Sequence, residues 1–247
     1  MKSLRLLLLL LVWPLLTGCE HKQARAKVPS PPGLPTDRTA TAKSTPSHQP
    51  HSTRGEYGTV IVETSKPIRT EMGLASWYGP PYHNRRGANG EIYDMNGMTA
   101  AHRTLPLNSI VRVTNVRTGN SAIVRITDRG PFIGERMLDL SLAAAKAVDV
   151  WAPGTAWVKM DVLESPEPLD TGGKWAVQIG AFDTLQAATK MKESLINRYH
   201  PARVLEFSGP TGEWVRVRVQ NDDRELAEQI SRSISTAQGG VFLVRLD

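Results

Sequence analysis

The chain has 247 residues, enough for one or two domains, with 30 basic and 24 acidic side chains and a single cysteine. One cysteine excludes an intrachain disulfide and a multi-thiolate metal site. Without Lys2 and Arg5, which belong to the N-terminal segment described next, 28 basic residues face 24 acidic ones, a net +4 that is too mild to argue for nucleic acid.

Residues 1–18 read as an export signal. Lys2 and Arg5 precede an apolar run over residues 6–12, and the run is too short to span a bilayer. Leu16-Thr17-Gly18-Cys19 closes the segment and resembles a bacterial lipobox, which implies lipidation of Cys19 and a membrane anchor. Glu20 follows the cysteine, and by its similarity to the sorting pattern of Gram-negative lipoproteins this implies the outer membrane, facing the periplasm. Residues 19–70 then hold the anchor and a Pro-, Thr-, Ser- and Lys-rich tether with too few large apolar residues to fold. As a flexible coil it would reach roughly 30–40 Å. His48 and His51 read as part of that composition.

From residue 71 the chain changes character, and residues 71–164 read as one small, mainly β domain. Strands are expected over residues 72–77, 109–116, 121–127 and 156–162, the middle pair joined by the hairpin signal Arg117-Thr118-Gly119-Asn120. Trp157, Lys159 and Asp161 should face outward from the last of these. Ser141 should cap a short Ala-rich helix over residues 142–148, kept from continuing by Pro153-Gly154. Many short strands with one short helix suggest a closed β-barrel.

Residues 165–173 form a polar linker, and residues 174–247 a second domain. Strands near residues 175–180, 202–207, 214–219 and 241–246 alternate with two amphipathic helices, the first capped near Asp183 and the second carrying Leu226, Ile230 and Ile234. The order β-α-β-β-α-β predicts a ferredoxin-like (RNP-like) α+β domain with both helices on one sheet face and the other face open for binding.

Two stretches concentrate reactive groups. Residues 88–102 place Glu91, Asp94 and His102 around two Asn-Gly dipeptides, in a segment too broken for a helix. Residues 126–132 bring a strand to Asp128 at a Gly-Pro turn. Such groups on turns at strand ends read as a displayed site. The six histidines show no pair at ligand spacing, so neither a metal nor a cofactor is implied.

Ala75-Ser76-Trp77-Tyr78-Gly79, Ala88-Asn89-Gly90-Glu91, Thr99-Ala100-Ala101-His102, Leu105-Pro106, Asp128-Arg129-Gly130-Pro131-Phe132 and Asp139-Leu140-Ser141 occur in that order. Over about residues 72–163 the chain thereby resembles the rare lipoprotein A family. The resemblance implies a six-stranded double-psi β-barrel and septal ring lytic transglycosylase activity on peptidoglycan glycan strands, giving 1,6-anhydro products. Trp175-Ala-Val-Gln-Ile-Gly-Ala-Phe182 is similar to the first strand of a SPOR domain, which implies binding of peptide-free glycan at the division site. The later Arg216-Val-Arg-Val-Gln220-Asn221-Asp222 departs from that domain's usual Arg-Val-Arg-Val-Gly-Pro-Phe.

A lytic transglycosylase draws its nucleophile from the substrate, so one acid/base group suffices. Asp128 is the leading candidate, with Glu91, His102 and Asp94 as possible partners. Asp128 also fits a plain cap on its turn, and Glu91 a solvated turn carboxylate. Trp77 and Tyr78 are candidates for sugar stacking, with core packing the alternative. Gln178, Phe182 and Arg216 are candidates for glycan contact in the second domain. Two other readings stay open: a non-catalytic, expansin-like glycan-binding lipoprotein, and a hydrolase using Glu91 and Asp128 as its carboxylate pair.

Overall fold

A computed structural model describes residues 66–247. The expected signal, Cys19 and residues 20–65 of the expected tether lie outside the described residues. Strands β1 (Arg69–Trp77), β2 (Thr99–His102), β3 (Ile110–Asn115), β4 (Ser121–Asp128), β5 (Arg136–Leu140) and β6 (Ala156–Glu164) close into a barrel in the order β1-β5-β2-β4-β3-β6. β1 with β5 and β2 with β4 are parallel pairs, and the remaining neighbours are antiparallel. This is the double-psi β-barrel. Its interior is filled by period-two alternation: Val111, Val113, Val124, Ile126, Leu138, Leu140, Val158, Met160 and Val162 are all buried. Each such side chain contributes about 1.5–3 kcal/mol relative to exposure. Gly73 lets β1 approach β5, because a Cβ there would lie 2.7 Å from the Met137 Cβ.

Helix α1 (Leu142–Ala147) follows β5, and the Ser141 hydroxyl accepts the Ala144 N–H at 3.1 Å as expected of its cap. Pro153-Gly154 does not end the helix. It stops at Ala147, with Val148 as the cap and Asp149 already at φ +55°. Asp161, expected to face outward, is buried; it accepts the Thr70 hydroxyl at 2.6 Å and pairs with Lys159 at 3.0 Å.

The second domain runs β7 (Trp175–Phe182), α2 (Leu185–Arg198), β8 (Arg203–Gly209), β9 (Gly212–Arg218), α3 (Arg224–Ser233) and β10 (Gly240–Arg245). Its antiparallel sheet has the order β10-β7-β9-β8, giving the expected ferredoxin-like α+β arrangement. Thr184, one residue after the expected cap, accepts the Ala187 N–H, and Asp223 caps α3 through the Leu226 N–H. Trp175, Val177, Ile179, Val215 and Val217 pack with Ala188, Leu195, Ala227 and Ile230 between sheet and helices.

The helix-free face is not open. Trp214 and Phe242 on that face meet Phe132 of the barrel at ring-centroid distances of 5.4 and 5.6 Å. The Arg103 guanidinium lies 5.6 Å from the Phe242 ring centroid. At the end of β10 the Arg245 N–H donates to the Arg103 carbonyl at 3.0 Å, and the Leu107 N–H donates to the Asp247 backbone oxygen at 3.2 Å. Asp170 in the linker accepts from both Arg69 and Arg224. Apolar rings and charged residues together fasten the sheet face to the barrel.

Candidate active site

The main cleft, about 520 Å³, opens between the barrel and this sheet face, within the size range of sites for small ligands. From the barrel it is lined by Tyr78, Tyr93, Asp128, Phe132 and Asp139, and from the second domain by Gln178, Phe207, Trp214 and Arg216.

Asp128 is the last residue of β4. Its Oδ1 accepts backbone N–H groups from Arg129 at 2.8 Å and Ala88 at 3.1 Å. The segment that supplies Ala88 is pinned over the strand end, because the Asn89 N–H also donates to the Thr127 carbonyl at 3.1 Å. The turn closes through Gly90, whose φ of +88° suits glycine. Burial pushes the Asp128 carboxyl above its ordinary value of 3.8, and the two N–H groups and Arg129 only partly oppose that rise. A carboxyl raised by burial in a cleft has the character a general acid needs.

Asp139 on β5 is a second carboxylate in the same cleft, likewise pushed up by burial. It accepts the Ser76 hydroxyl at 2.6 Å and pairs with Arg136 at 3.2 Å. Sequence reasoning met it only as part of the Asp139-Leu140-Ser141 motif. Its one local signal is the polar residue between Leu138 and Leu140 in an apolar stretch.

Glu91, Asp94 and Asp128 do come together, but around a smaller hollow of about 170 Å³ that shares Gly87, Tyr93 and Asp128 with the main cleft. Arg125 grips both Glu91 oxygens, at 2.9 and 2.6 Å, and this bond chiefly holds the Glu91 carboxyl below the usual range. An ionised, exposed Glu91 is not a proton donor, and its ionised state beside a raised Asp128 does not by itself exclude the hydrolase pairing, which needs one ionised and one protonated carboxylate. Asp94 caps its own turn by accepting the Asn96 N–H at 2.9 Å. His102 lies outside the cleft lining. Its Nδ1 accepts the Thr104 and Leu105 N–H groups at 3.2 and 3.0 Å, and burial pushes its pKa down to about 3. Its Nε2 lies 3.9 Å from Glu71, so this geometry gives a neutral, turn-holding imidazole that does not orient Asp128.

Tyr78 lines the cleft and stacks on Tyr93 at 4.3 Å, while the Tyr93 hydroxyl donates to the Tyr78 carbonyl at 2.8 Å. Burial first, and Asp128 second, push the Tyr78 hydroxyl up, so it stays a neutral donor. Trp77 packs against the barrel core instead. Gln178 and Arg216 reach the cleft side by side, the Arg216 Nη2 donating to the Gln178 Oε1 at 2.6 Å. Phe182 does not reach it: the ring is part of the core between sheet and helices.

Residues 70–160 match the family described as lytic transglycolase, and residues 171–245 match the SPOR domain. The endolytic peptidoglycan transglycosylase RlpA of Vibrio cholerae is 40% identical over 173 residues, covering 66% of this chain and 65% of that protein. The protein of the same name from Neisseria meningitidis is 54% identical over 94 residues, covering 38% and 39%. The one from Pseudomonas aeruginosa (strain UCBPP-PA14) is 48% identical over 122 residues, covering 47% and 36%. The chain spans about a third to two thirds of the length of such relatives. The first match falls on the closed barrel and the second on the four-stranded sheet with its two helices, so the chain is a double-psi β-barrel of the lytic transglycolase type followed by a SPOR domain, similar to the RlpA proteins.

Proposed function

We propose that the protein is an endolytic lytic transglycosylase of the cell envelope, cleaving MurNAc-GlcNAc bonds of peptide-free peptidoglycan strands to 1,6-anhydro products. The relatives' names support the reaction class, and the SPOR match supports glycan as the partner. The observation that carries the reading is Asp128, a carboxyl raised by burial that lines a cleft of about 520 Å³.

In the proposed reaction the Asp128 carboxyl gives its proton to the glycosidic oxygen as the bond from that oxygen to C1 of MurNAc breaks. The C6 hydroxyl oxygen of the same residue bonds to C1, and its proton passes to the Asp128 carboxylate. The acid is regenerated, no water is consumed, and one protein group serves both steps. Tyr78 stays a neutral donor beside the reacting oxygens, and Glu91, ionised by Arg125, accepts a sugar hydroxyl at the adjoining hollow. The Cys19 anchor would hold the enzyme at the outer membrane, with the SPOR domain favouring the septum and neighbouring division proteins.

Mass spectrometry of peptide-free strands after incubation tests this reading. Anhydro-terminated fragments support it, and reducing-end fragments indicate a hydrolase. Strands bound but uncut would make the protein a glycan-binding module of the expansin-like kind.

A further inference from the structure

Asp139 is a cleft carboxyl that the proposed reaction leaves unused, and the barrel sets it as the counterpart of Asp128. In the parallel pair of β2 and β4, Ala100 faces Ile126 and Ala101 faces Asp128, so Thr127 is skipped. In the parallel pair of β1 and β5, Leu74 faces Arg136 and Ala75 faces Leu138, so Met137 is skipped and Asp139 comes opposite Ser76. Each ladder slips by one residue just before its aspartate, and a bulge of this kind re-aims the side chains that follow it.

The two aspartates stand on either side of one small residue. Ala101 pairs with Asp128 on β4 and with Asp139 on β5. Adjacent strands lie about 4.8 Å apart, which puts the two Cα atoms about 9–10 Å from each other. All three residues line the main cleft, and Ala101 offers only a methyl group between the carboxyls. Burial, then Asp128, Tyr93 and Asp139, push the Tyr78 hydroxyl up while Thr99 opposes them, so Tyr78 lies within electrostatic reach of both aspartates.

Their surroundings differ. Asp128 accepts two backbone N–H groups, and among the described residues no cation lies within ion-pair distance of it. Asp139 accepts the Ser76 hydroxyl at 2.6 Å and pairs with the Arg136 guanidinium at 3.2 Å. Burial raises both carboxyls, but at Asp139 the Ser76 hydroxyl and the charges of Arg136 and Arg103 favour the ionised form. Two carboxyls whose settings differ in this way suit different tasks. Cleavage of a glycosidic bond builds positive charge on the anomeric carbon and ring oxygen, and a fixed carboxylate facing that charge lowers the barrier.

We propose that Asp139 is a second catalytic residue, an ionised carboxylate that stabilises the positive charge on the muramyl ring while Asp128 handles the proton. This rests on the transglycosylase reading. Asp139 neither gives nor takes a proton in the reaction, and no bond forms to it. Ser76 and Arg136 position it.

The test is the pH dependence of kcat and KM on peptide-free strands, for the full chain as wild type, Asp139→Asn and Ser76→Ala. Asp139→Asn keeps the shape and removes the charge. Its kcat should fall about 10²–10³-fold with KM nearly unchanged, because the opposing charge exists only in the transition state. In wild type, kcat/KM should fall at high pH, where Asp128 loses its proton, and also at low pH, where Asp139 gains one. The low-pH limb should lie above the ordinary 3.8 of aspartate. Asp139→Asn should abolish that limb and keep the other. Ser76→Ala removes a bond that favours the ionised form, so it should move the low-pH limb upward.

An undiminished kcat in Asp139→Asn, or a lowered one with both limbs in place, overturns the inference. If Asp139→Asn does not fold, Ser76→Ala decides, and an unmoved limb overturns it. Reducing-end products that vanish in Asp139→Asn would make Asp139 the base of a hydrolase and overturn it too. A wild type that cuts nothing refutes the transglycosylase reading and the inference with it, whereas anhydro products formed without regard to Asp139 refute the inference alone.

Discussion

Asp128 is governed by opposing influences: burial raises its carboxyl, while two backbone N–H groups and Arg129 favour its ionised form, and burial prevails. If it is the general acid, kcat/KM should fall on the alkaline side with a pKa above the ordinary 3.8 of aspartate. A limb at or below that value would assign the proton to another group. His102 gives a prediction of stability instead. Its folded pKa of about 3 lies below its ordinary 6.5, so the neutral imidazole's full stabilisation is present above pH 6.5 and is lost as pH falls toward 3. Arg103, Arg129 and Arg69 reinforce the effect of burial, and Glu71 faces Nε2. Urea unfolding at pH 7 and pH 4 should therefore show a smaller pH-dependent loss for His102→Gln than for wild type. Equal slopes would contradict the buried neutral ring. Asp128 was legible as a carboxylate ending a strand at a Gly-Pro turn. Arg125, 34 positions from Glu91, was not, because only the barrel's closure brings them together.

At the scale of elements, alternation made β3, β4, β6 and the second domain's strands readable. β2 and β5 escaped notice because Thr-Ala-Ala-His and Arg-Met-Leu-Asp-Leu are short and nearly without polar alternation. They are nonetheless what bring the reactive loop and Asp139 into the barrel. The face assigned to Phe182 failed for a related reason: the register shifts between Gly180 and Phe182, so simple alternation cannot carry past that point. The cap of α1 is well specified, since Ser141 both accepts the Ala144 N–H and donates to the Gly97 carbonyl at 2.6 Å. Ser141→Ala should cost about 1–2 kcal/mol in denaturant unfolding. A loss within error would mean that α1 is held by packing alone.

Across the whole molecule, the decisive feature is that the sheet face expected to stand open is the second wall of the cleft. No local pattern announces this, because the contacts pair Phe132 with rings 82 and 110 positions away. Phe132→Ala should weaken that junction by roughly 1–3 kcal/mol, the scale of two aromatic contacts. Calorimetry should then resolve two transitions for the variant and one for wild type. A single unshifted transition would mean that the rings meet without coupling the domains. The central claim, that Asp128 in this shared cleft cuts glycan, is tested most directly by the rate of anhydro-product formation from peptide-free strands, wild type beside Asp128→Asn. The rate should fall by about 10²–10⁴-fold in the variant while strand binding persists. Anhydro products formed at an undiminished rate by Asp128→Asn would contradict it.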